Sequence, residues 1–154
     1  MDESGIAPPL PVVAAVIRRG DRVLLARRPL DKAQAGLWEF PGGKVGDGEL
    51  PEAALVREIQ EELDCTITVG APLITVTHAY PALTITLSAY WATVFIGEPK
   101  VGEPLAIEWV PIAALADREL CAADRALAAA CIKHAGAVSD PRTTVVWERG
   151  SDLD

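Results

Sequence analysis

Three glutamates on one predicted helix form the cluster in this sequence that is best suited to chemistry. Segment 51–63 starts with a proline, which fits the first turn of a helix, and its apolar residues recur at helical spacing. On such a helix Glu58, Glu61 and Glu62 occupy an arc of roughly 100° beside the apolar face. Because like charges this close repel, by roughly 0.2 to 0.5 kcal/mol per pair, we expect a cation to compensate them. Magnesium prefers such oxygen ligands, whereas a solvated acidic face would show the same pattern.

The residues around these glutamates extend the cluster into a longer motif. Its members, in chain order, are Gly43, Glu49, Arg57, Glu58, Ile59, Glu61 and Glu62. The spacing resembles the Nudix box, G-x5-E-x7-R-E-U-x-E-E-x-G-U, in which U is an aliphatic residue. Gly43, Glu49 and Arg57 are interpreted as structural members, with Arg57 bridging a carboxylate of its own helix or of Glu49. Asp64 and Cys65 depart from the box, but aspartate tolerates the left-handed conformation that ends such a helix, so the metal ligands are unaffected.

Segments outside the box are similar to the MutT-like branch of the Nudix family. They are residues 38–44 (WEFPGGK), Arg27-Arg28, Glu103 followed by Trp109, and residues 122–124. The resemblance implies a hydrolase that converts a nucleoside triphosphate to the monophosphate and pyrophosphate, in nucleotide-pool sanitation. The substrate expected first is 8-oxo-dGTP, and CTP or a modified dCTP is the alternative because residue 124 is an aspartate and not an asparagine. A non-catalytic, nucleotide-sensing Nudix domain is a further alternative, which the retained carboxylates disfavour.

The resemblance also implies which residues carry the chemistry. Glu58, Glu61 and Glu62 would bind Mg²⁺, or Mn²⁺ as a substitute, together with the backbone carbonyl of Gly42. Glu103 matches a family carboxylate that reaches the metal cluster and serves as general base, and a solvated loop acid is the alternative interpretation. The implied catalytic residues are Glu58, Glu61, Glu62 and Glu103.

Three further residues are candidates for binding the nucleotide. Arg28 matches a position that contacts it, although two arginines after a strand are also typical of surface charge. Phe40 would line the base pocket with its ring or pack in the core beside the Pro-Gly turn. Asp124 would either accept a hydrogen bond from a base edge or cap the last helix. His78 and Tyr80, which precede a proline at a strand end, would either approach the substrate or pack against neighbouring side chains, and packing is the preferred interpretation.

Composition and charge limit the class of protein and its partners. A length of 154 residues suits one domain, and a formal charge of −8 disfavours binding to a nucleic acid polymer, whose phosphates need a basic face. No stretch approaches the roughly 18 apolar residues of a membrane span, and the three cysteines form neither a disulfide framework nor a zinc motif. We therefore expect a cytoplasmic monomer or homodimer without a membrane or nucleic acid partner.

Strands and two helices must position these residues. Strands are predicted at 12–17 and 23–26, joined by a Gly20-Asp21 turn, and at 37–40, 66–69, 73–77, 83–96 and 107–110; helices are predicted at 51–63 and 123–134. Pro41-Gly42-Gly43 is expected to interrupt regular structure. The pattern predicts an α/β fold, and the resemblance implies the Nudix fold, a mixed β-sheet sandwiched between α-helices. Residues 1–11 are expected to be a flexible lead, 12–134 the Nudix domain, and 135–154 a tail in which 143–147 adds a strand.

Overall fold

A mixed seven-stranded sheet forms the centre of the fold. The computed structural model describes residues 8–136 except 103 and 105. The elements are β1 (Leu10–Arg19), β2 (Arg22–Arg27), β3 (Trp38–Glu39), β4 (Gly42–Lys44), α1 (Pro51–Leu63), β5 (Thr66–Tyr80), β6 (Leu83–Ile96), β7 (Ala106–Pro111), a 3-10 helix (Ile112–Asp117) and α2 (Ala122–His134). Among the described residues, no helix is long and apolar enough to span a membrane.

Strand β1 lies in the middle of the sheet and pairs with three other strands. It runs parallel to β6, from Leu10 opposite Ile85 to Ile17 opposite Ala92, and antiparallel to β2 and β4. Strand β2 also pairs with β3 and β7, while β5 pairs antiparallel with β6 at the edge of the sheet. Segment 13–17 is wholly buried, which explains why its sequence is a continuous apolar run without alternation.

The two faces of β1 belong to two separate hydrophobic clusters. Val13 and Ile17 pack in a cluster with Leu55 of α1, whereas Val16 packs in a cluster with Leu127 of α2. Successive side chains of a strand point to opposite faces, so one helix covers each side of the sheet. The predicted α/β fold, with a mixed sheet between helices, is confirmed.

Two elements differ from the sequence prediction. The prediction of irregular structure at Pro41-Gly42-Gly43 is wrong, because Gly42–Lys44 forms strand β4 against β1. An ideal Cβ on Gly42 would lie 1.9 Å from the carbonyl oxygen of Val13, so a glycine is required for these two strands to approach. Segments 66–69 and 73–77 are parts of one strand, β5, whose pairing with β6 is irregular around Pro72. The predicted strand at 143–147 lies outside the described residues.

Helix α1 has the bounds that the sequence predicts. It begins at Pro51 and is followed by Asp64, which adopts the left-handed conformation with φ 54°. The backbone N–H of Asp64 donates a hydrogen bond to the carbonyl oxygen of Gln60 at 3.1 Å. The aspartate therefore ends the helix as the glycine of the box would, and the expected exit geometry is confirmed.

Candidate active site

A cavity of about 760 Å³ brings the acidic helix and the other candidate residues together. One part of its lining, the acidic wall, consists of Gly42, Gly43, Lys44, Glu58 and Glu62. A second part, the polar wall, consists of Arg28, Glu39, Phe40, Tyr80, Cys121 and Asp124. Side chains of β1 and β6, among them Val12 and Leu87, add an apolar surface. The cavity therefore combines carboxylates with a partly apolar, partly polar recess.

The acidic wall is built by α1 and the short strand β4. The side chain of Glu58 is 16% exposed and that of Glu61 is 60% exposed, while Glu62 is half-buried. An ideal Cβ on Gly43 would lie 2.3 Å from the carboxyl carbon of Glu58, so this glycine leaves room for the carboxylate. The structure thus brings Glu58 and Glu62 to the cavity beside Gly42 and leaves Glu61 more exposed on the same helix.

Arg57 joins the carboxylates of the box by ion pairs. Its Nε and Nη2 donate to the two carboxylate oxygens of Glu49 at 2.8 and 2.9 Å, and its Nη1 lies 3.0 Å from Glu58 Oε2 and 3.4 Å from Glu61 Oε1. The hydrogen bonds from Arg57 and from the backbone N–H of Gly46 lower the pKa of Glu49 to about 2. Arg57 therefore holds Glu49 ionised and restricts the orientation of Glu58.

Glu103 lies outside the described residues, so its role stays a prediction. Its two chain neighbours are at the site: Pro104 lines the cavity, and an ideal Cβ on Gly102 would lie 2.7 Å from the carbonyl oxygen of Glu62. The chain next to Glu103 therefore packs against the end of α1 that carries the box glutamates.

Hydrogen bonds connect the members of the polar wall. Arg28 Nη1 donates to Glu39 Oε1 at 3.1 Å, and the backbone N–H of Phe40 donates to Asp124 Oδ1 at 2.9 Å. Phe40 is a core residue that also lines the cavity, so its two interpretations are compatible. The helix-cap interpretation of Asp124 is wrong, because Cys121 is the N-cap residue of α2 and the side chain of Asp124 binds a different segment.

Burial changes the protonation of the polar wall. Desolvation, reinforced by the charge of Glu39, raises the pKa of Asp124 to about 8, although the bond from Phe40 and the charge of Arg28 act against it. Burial also raises the pKa of Glu39, despite the opposing effect of Arg28. The raised pKa favours the protonated form of Asp124, and a protonated carboxyl both donates and accepts hydrogen bonds.

Three residues of the polar wall also have the spacing of a metal site. One ligand atom each of Glu39, Cys121 and Asp124 lies within 4.8 Å of the others. Two of the three are already engaged by other partners, because Arg28 pairs with Glu39 and Asp124 accepts the backbone N–H of Phe40. The glutamates of the acidic wall are the better candidates for a divalent metal.

Tyr80, for which the sequence favours packing over substrate contact, and Glu39, which the sequence does not single out, both line the cavity. The hydroxyl of Tyr80 accepts a hydrogen bond from the backbone N–H of Ala123 at 3.0 Å. The centroids of the Tyr80 and His78 rings are 4.5 Å apart. The two bonded residues are 43 positions apart, so no local pattern links them. Glu39 stands within the WEFPGGK segment, which was the one available signal for it.

Comparison with known proteins identifies the family. The NUDIX domain matches residues 12–130 of the chain. The chain belongs to the Nudix family. The resemblance predicted from the Nudix box is thereby confirmed, and the Nudix match spans the acidic wall and the polar wall.

Individual Nudix proteins match much of the same region. The chain is 46% identical over 85 residues to an 8-oxo-dGTP diphosphatase of Proteus vulgaris, covering 54% of this chain and 76% of the relative. It is 43% identical over 98 residues to a CTP pyrophosphohydrolase of Escherichia coli K12, covering 64% of this chain and 73% of the relative. The crystal structure of a MutT NUDIX hydrolase from Burkholderia pseudomallei superposes with a TM-score of 0.73 at 33% identity, covering 80% of this chain and 98% of that one. The predicted Nudix fold is confirmed.

Proposed function

We propose that this Nudix chain is a pyrophosphohydrolase that converts a nucleoside triphosphate to the monophosphate and pyrophosphate, in nucleotide-pool sanitation. The observation that carries the proposal is that the box glutamates and the polar wall line one cavity. A triphosphate needs both, because its phosphates require a cation site and its base requires a partly apolar recess with hydrogen-bonding groups. The relatives named 8-oxo-dGTP diphosphatase and CTP pyrophosphohydrolase support this assignment.

Nudix hydrolases generally need a divalent metal, and the acidic wall suits one. Glu58, Glu61 and Glu62, with the backbone carbonyl of Gly42, would hold Mg²⁺ or its substitute Mn²⁺, because hard cations take carboxylate and carbonyl oxygens. The glycine at position 43 leaves the Glu58 carboxylate the room that a side chain would fill. When bound, the metal neutralises phosphate charge and lowers the pKa of a coordinated water.

The residues of the chain would position the reactants and accept a proton. A water oxygen forms a bond to one phosphorus of the linkage between the monophosphate and the pyrophosphate, the bond from that phosphorus to the bridging oxygen breaks, and a proton of the water passes to a carboxylate. We assign this general base to Glu103, whose neighbour Gly102 packs against the backbone of Glu62. Arg57 supports the reaction indirectly, because it orients Glu58 and Glu49.

The polar wall would bind the base through Arg28, Phe40 and Asp124, with 8-oxo-dGTP as the first substrate. A protonated Asp124 can donate to one atom of the base and accept from its neighbour, while Phe40 supplies apolar surface. CTP or a modified dCTP is the second candidate. The protonated carboxyl also suits cytosine, since cytosine presents a ring acceptor next to an amino donor.

The setting we assign to the reaction is the cytoplasm, with a free nucleotide as partner and a monomer or homodimer as the active form. The formal charge of −8 supports a free nucleotide over a nucleic acid polymer. The three cysteines, Cys65, Cys121 and Cys131, are buried free thiols, which is consistent with a reducing compartment.

Pyrophosphate release from 8-oxo-dGTP, dGTP, CTP and dATP, measured with and without MgCl₂, tests the function. We expect release only with the metal. Glu62→Gln should lower kcat/KM at least about a hundredfold without changing the circular dichroism spectrum, because it removes one charge from the acidic wall. Glu52→Gln, at an exposed and variable position of the box on the same helix, is the matched control and should keep activity. Full activity of Glu62→Gln, or release that is indifferent to metal, would contradict the proposal.

A further inference from the structure

Tyr80 is a member of the polar wall to which the proposed function assigns no role. It stands at the end of β5, opposite Leu83 across the turn to β6, and is half-buried. Its hydroxyl oxygen accepts the backbone N–H of Ala123, the residue before Asp124. Within the described part of the chain, this is the hydroxyl's one hydrogen bond, so its own proton is still available to an acceptor. The phenol therefore reaches the cavity as a donor fixed in place by α2.

The surroundings of Tyr80 keep this proton on the phenol. Burial raises the pKa of Tyr80, and the nearby Asp124 and Cys121 raise it further, while the N–H of Ala123 and the charge of Arg28 act in the opposite direction. A donor that does not ionise in the neutral range can act across the whole pH range in which a hydrolase works. A neutral hydroxyl in a partly apolar recess is suited to a neutral acceptor, such as a carbonyl oxygen.

We propose that Tyr80 is a base-recognition residue that donates its phenolic proton to a carbonyl oxygen of the bound base. The inference rests on the proposed function, since it assumes that the base enters the polar wall. Cytosine, guanine and 8-oxoguanine carry ring carbonyl groups, whereas adenine carries none. Asp124, adjacent to Ala123, would bind a neighbouring polar atom of the same base edge. Tyr80 thus selects bases with a carbonyl group against adenine.

Equilibrium binding of the monophosphate products tests this role without depending on turnover. The dissociation constants of dCMP, 8-oxo-dGMP and dAMP are measured by calorimetry for the wild type, Tyr80→Phe and the control Tyr90→Phe. Tyr90 is a half-buried tyrosine of β6 that packs in the cluster of α1, away from the polar wall. We expect Tyr80→Phe to weaken the tighter-binding carbonyl-bearing monophosphate about tenfold, the effect of one hydrogen bond, and to leave dAMP within about twofold. Tyr90→Phe should change none of them.

The pattern across ligands separates recognition from structure. Tyr80→Phe also removes the acceptor for the Ala123 N–H, and a purely structural effect would weaken all three monophosphates by the same factor. Equal losses, or no loss for any ligand, would overturn the proposal, as would wild-type protein that binds dAMP as tightly as dCMP and 8-oxo-dGMP. Retained dAMP binding shows that the variant site is folded. Failure of the proposed function has a different signature, namely no pyrophosphate release from any triphosphate by the wild type.

Discussion

Neighbouring groups shift the pKa values of two carboxyl groups in opposite directions: Glu49, which Arg57 links to Glu58 of the acidic wall, and Asp124 of the polar wall. Two hydrogen bonds from Arg57 and one from Gly46 lower the pKa of Glu49 to about 2, whereas burial beside Glu39 raises that of Asp124 to about 8. The same chemical group therefore serves two purposes. Ionised carboxylates suit a cation on the acidic wall, and a neutral carboxyl suits an uncharged base on the polar wall. The guanidinium of Arg57 lowers one pKa and the burial of Asp124 raises the other.

Asp124→Asn should remove a pH-dependent part of the free energy of unfolding. Because the pKa of Asp124 is raised from 3.8 to about 8 on folding, the folded chain keeps a proton that the unfolded chain releases. The contribution of protonated Asp124 to the free energy of unfolding is fully present below its pKa in the unfolded chain. It is lost as the pH rises through the pKa of Asp124 in the folded chain. We expect the wild-type Tm to fall relative to Asp124→Asn between about pH 4 and 8, since asparagine still accepts the Phe40 N–H but cannot ionise.

The matched control for this measurement is Asp117→Asn, at an exposed aspartate. Its Tm profile should run parallel to that of the wild type. If the profile of Asp124→Asn is also parallel to the wild type, Asp124 is ionised in the folded protein and the donor role assigned to it is wrong.

At the scale of elements, the acidic wall depends on how closely β4 lies between β1 and α1. Gly42 and Gly43 are adjacent, but a side chain at the first would meet backbone of β1 and a side chain at the second would meet the carboxylate of Glu58. Paired backbone in a sheet cannot shift to relieve such a clash, whereas the carboxylate end of a glutamate side chain can rotate away from it. The two glycines therefore protect different properties, namely the strand pairing and the position of a metal ligand.

Alanine at these two positions should separate stability from activity. Gly42→Ala places a Cβ 1.9 Å from the carbonyl oxygen of Val13 and should cost about 1 to 3 kcal/mol or more of unfolding free energy. Gly43→Ala displaces the carboxylate of Glu58 and should lower kcat at least about tenfold with a smaller loss of stability. Denaturant unfolding and pyrophosphate release measure the two effects. Gly136→Ala, in open space, is the control. Equal losses of stability in Gly42→Ala and Gly43→Ala would contradict the different roles assigned to the two glycines.

The elements that the sequence predicts well are those whose signals are local. The bounds of α1 and β6 follow from a proline start, helical periodicity and a long run of β-branched and aromatic residues. Strand β4 was missed because two glycines normally signal a loop, and their pairing with β1 is a contact between distant segments. The continuity of β5 was missed because Gly70 and Pro72 normally interrupt a strand, whereas an edge strand tolerates them at irregular pairings.

At the scale of the whole molecule, one wall of the site is encoded by local sequence and the other by contacts between distant segments. The acidic wall comes from one short stretch of chain, so the spacing of the Nudix box was sufficient to predict it. The polar wall is assembled by contacts such as that between Phe40 and Asp124, which are 84 positions apart, and by the β5–β6 turn that brings in Tyr80. Residue spacing does not encode these contacts, so the sequence leaves Tyr80 open between packing and substrate contact, and Glu39 is identified only once the sheet and α2 are in place.

Magnesium should stabilise the folded molecule through the acidic wall, and the net charge of −8 makes it necessary to separate this effect from general screening. A cation that binds only the folded state adds about 2.7 kcal/mol at a hundredfold excess over Kd, and each kcal/mol raises Tm by about 2 to 4 °C in a chain of this size. We therefore expect MgCl₂ to raise Tm by several degrees more than NaCl at equal ionic strength. Replacing both Glu58 and Glu62 by glutamine should abolish the difference between the salts, because it removes two site carboxylates, while Glu52→Gln should keep it. Screening depends on total charge and not on position, so a difference that survives in the double variant would mean that the box glutamates do not hold the metal.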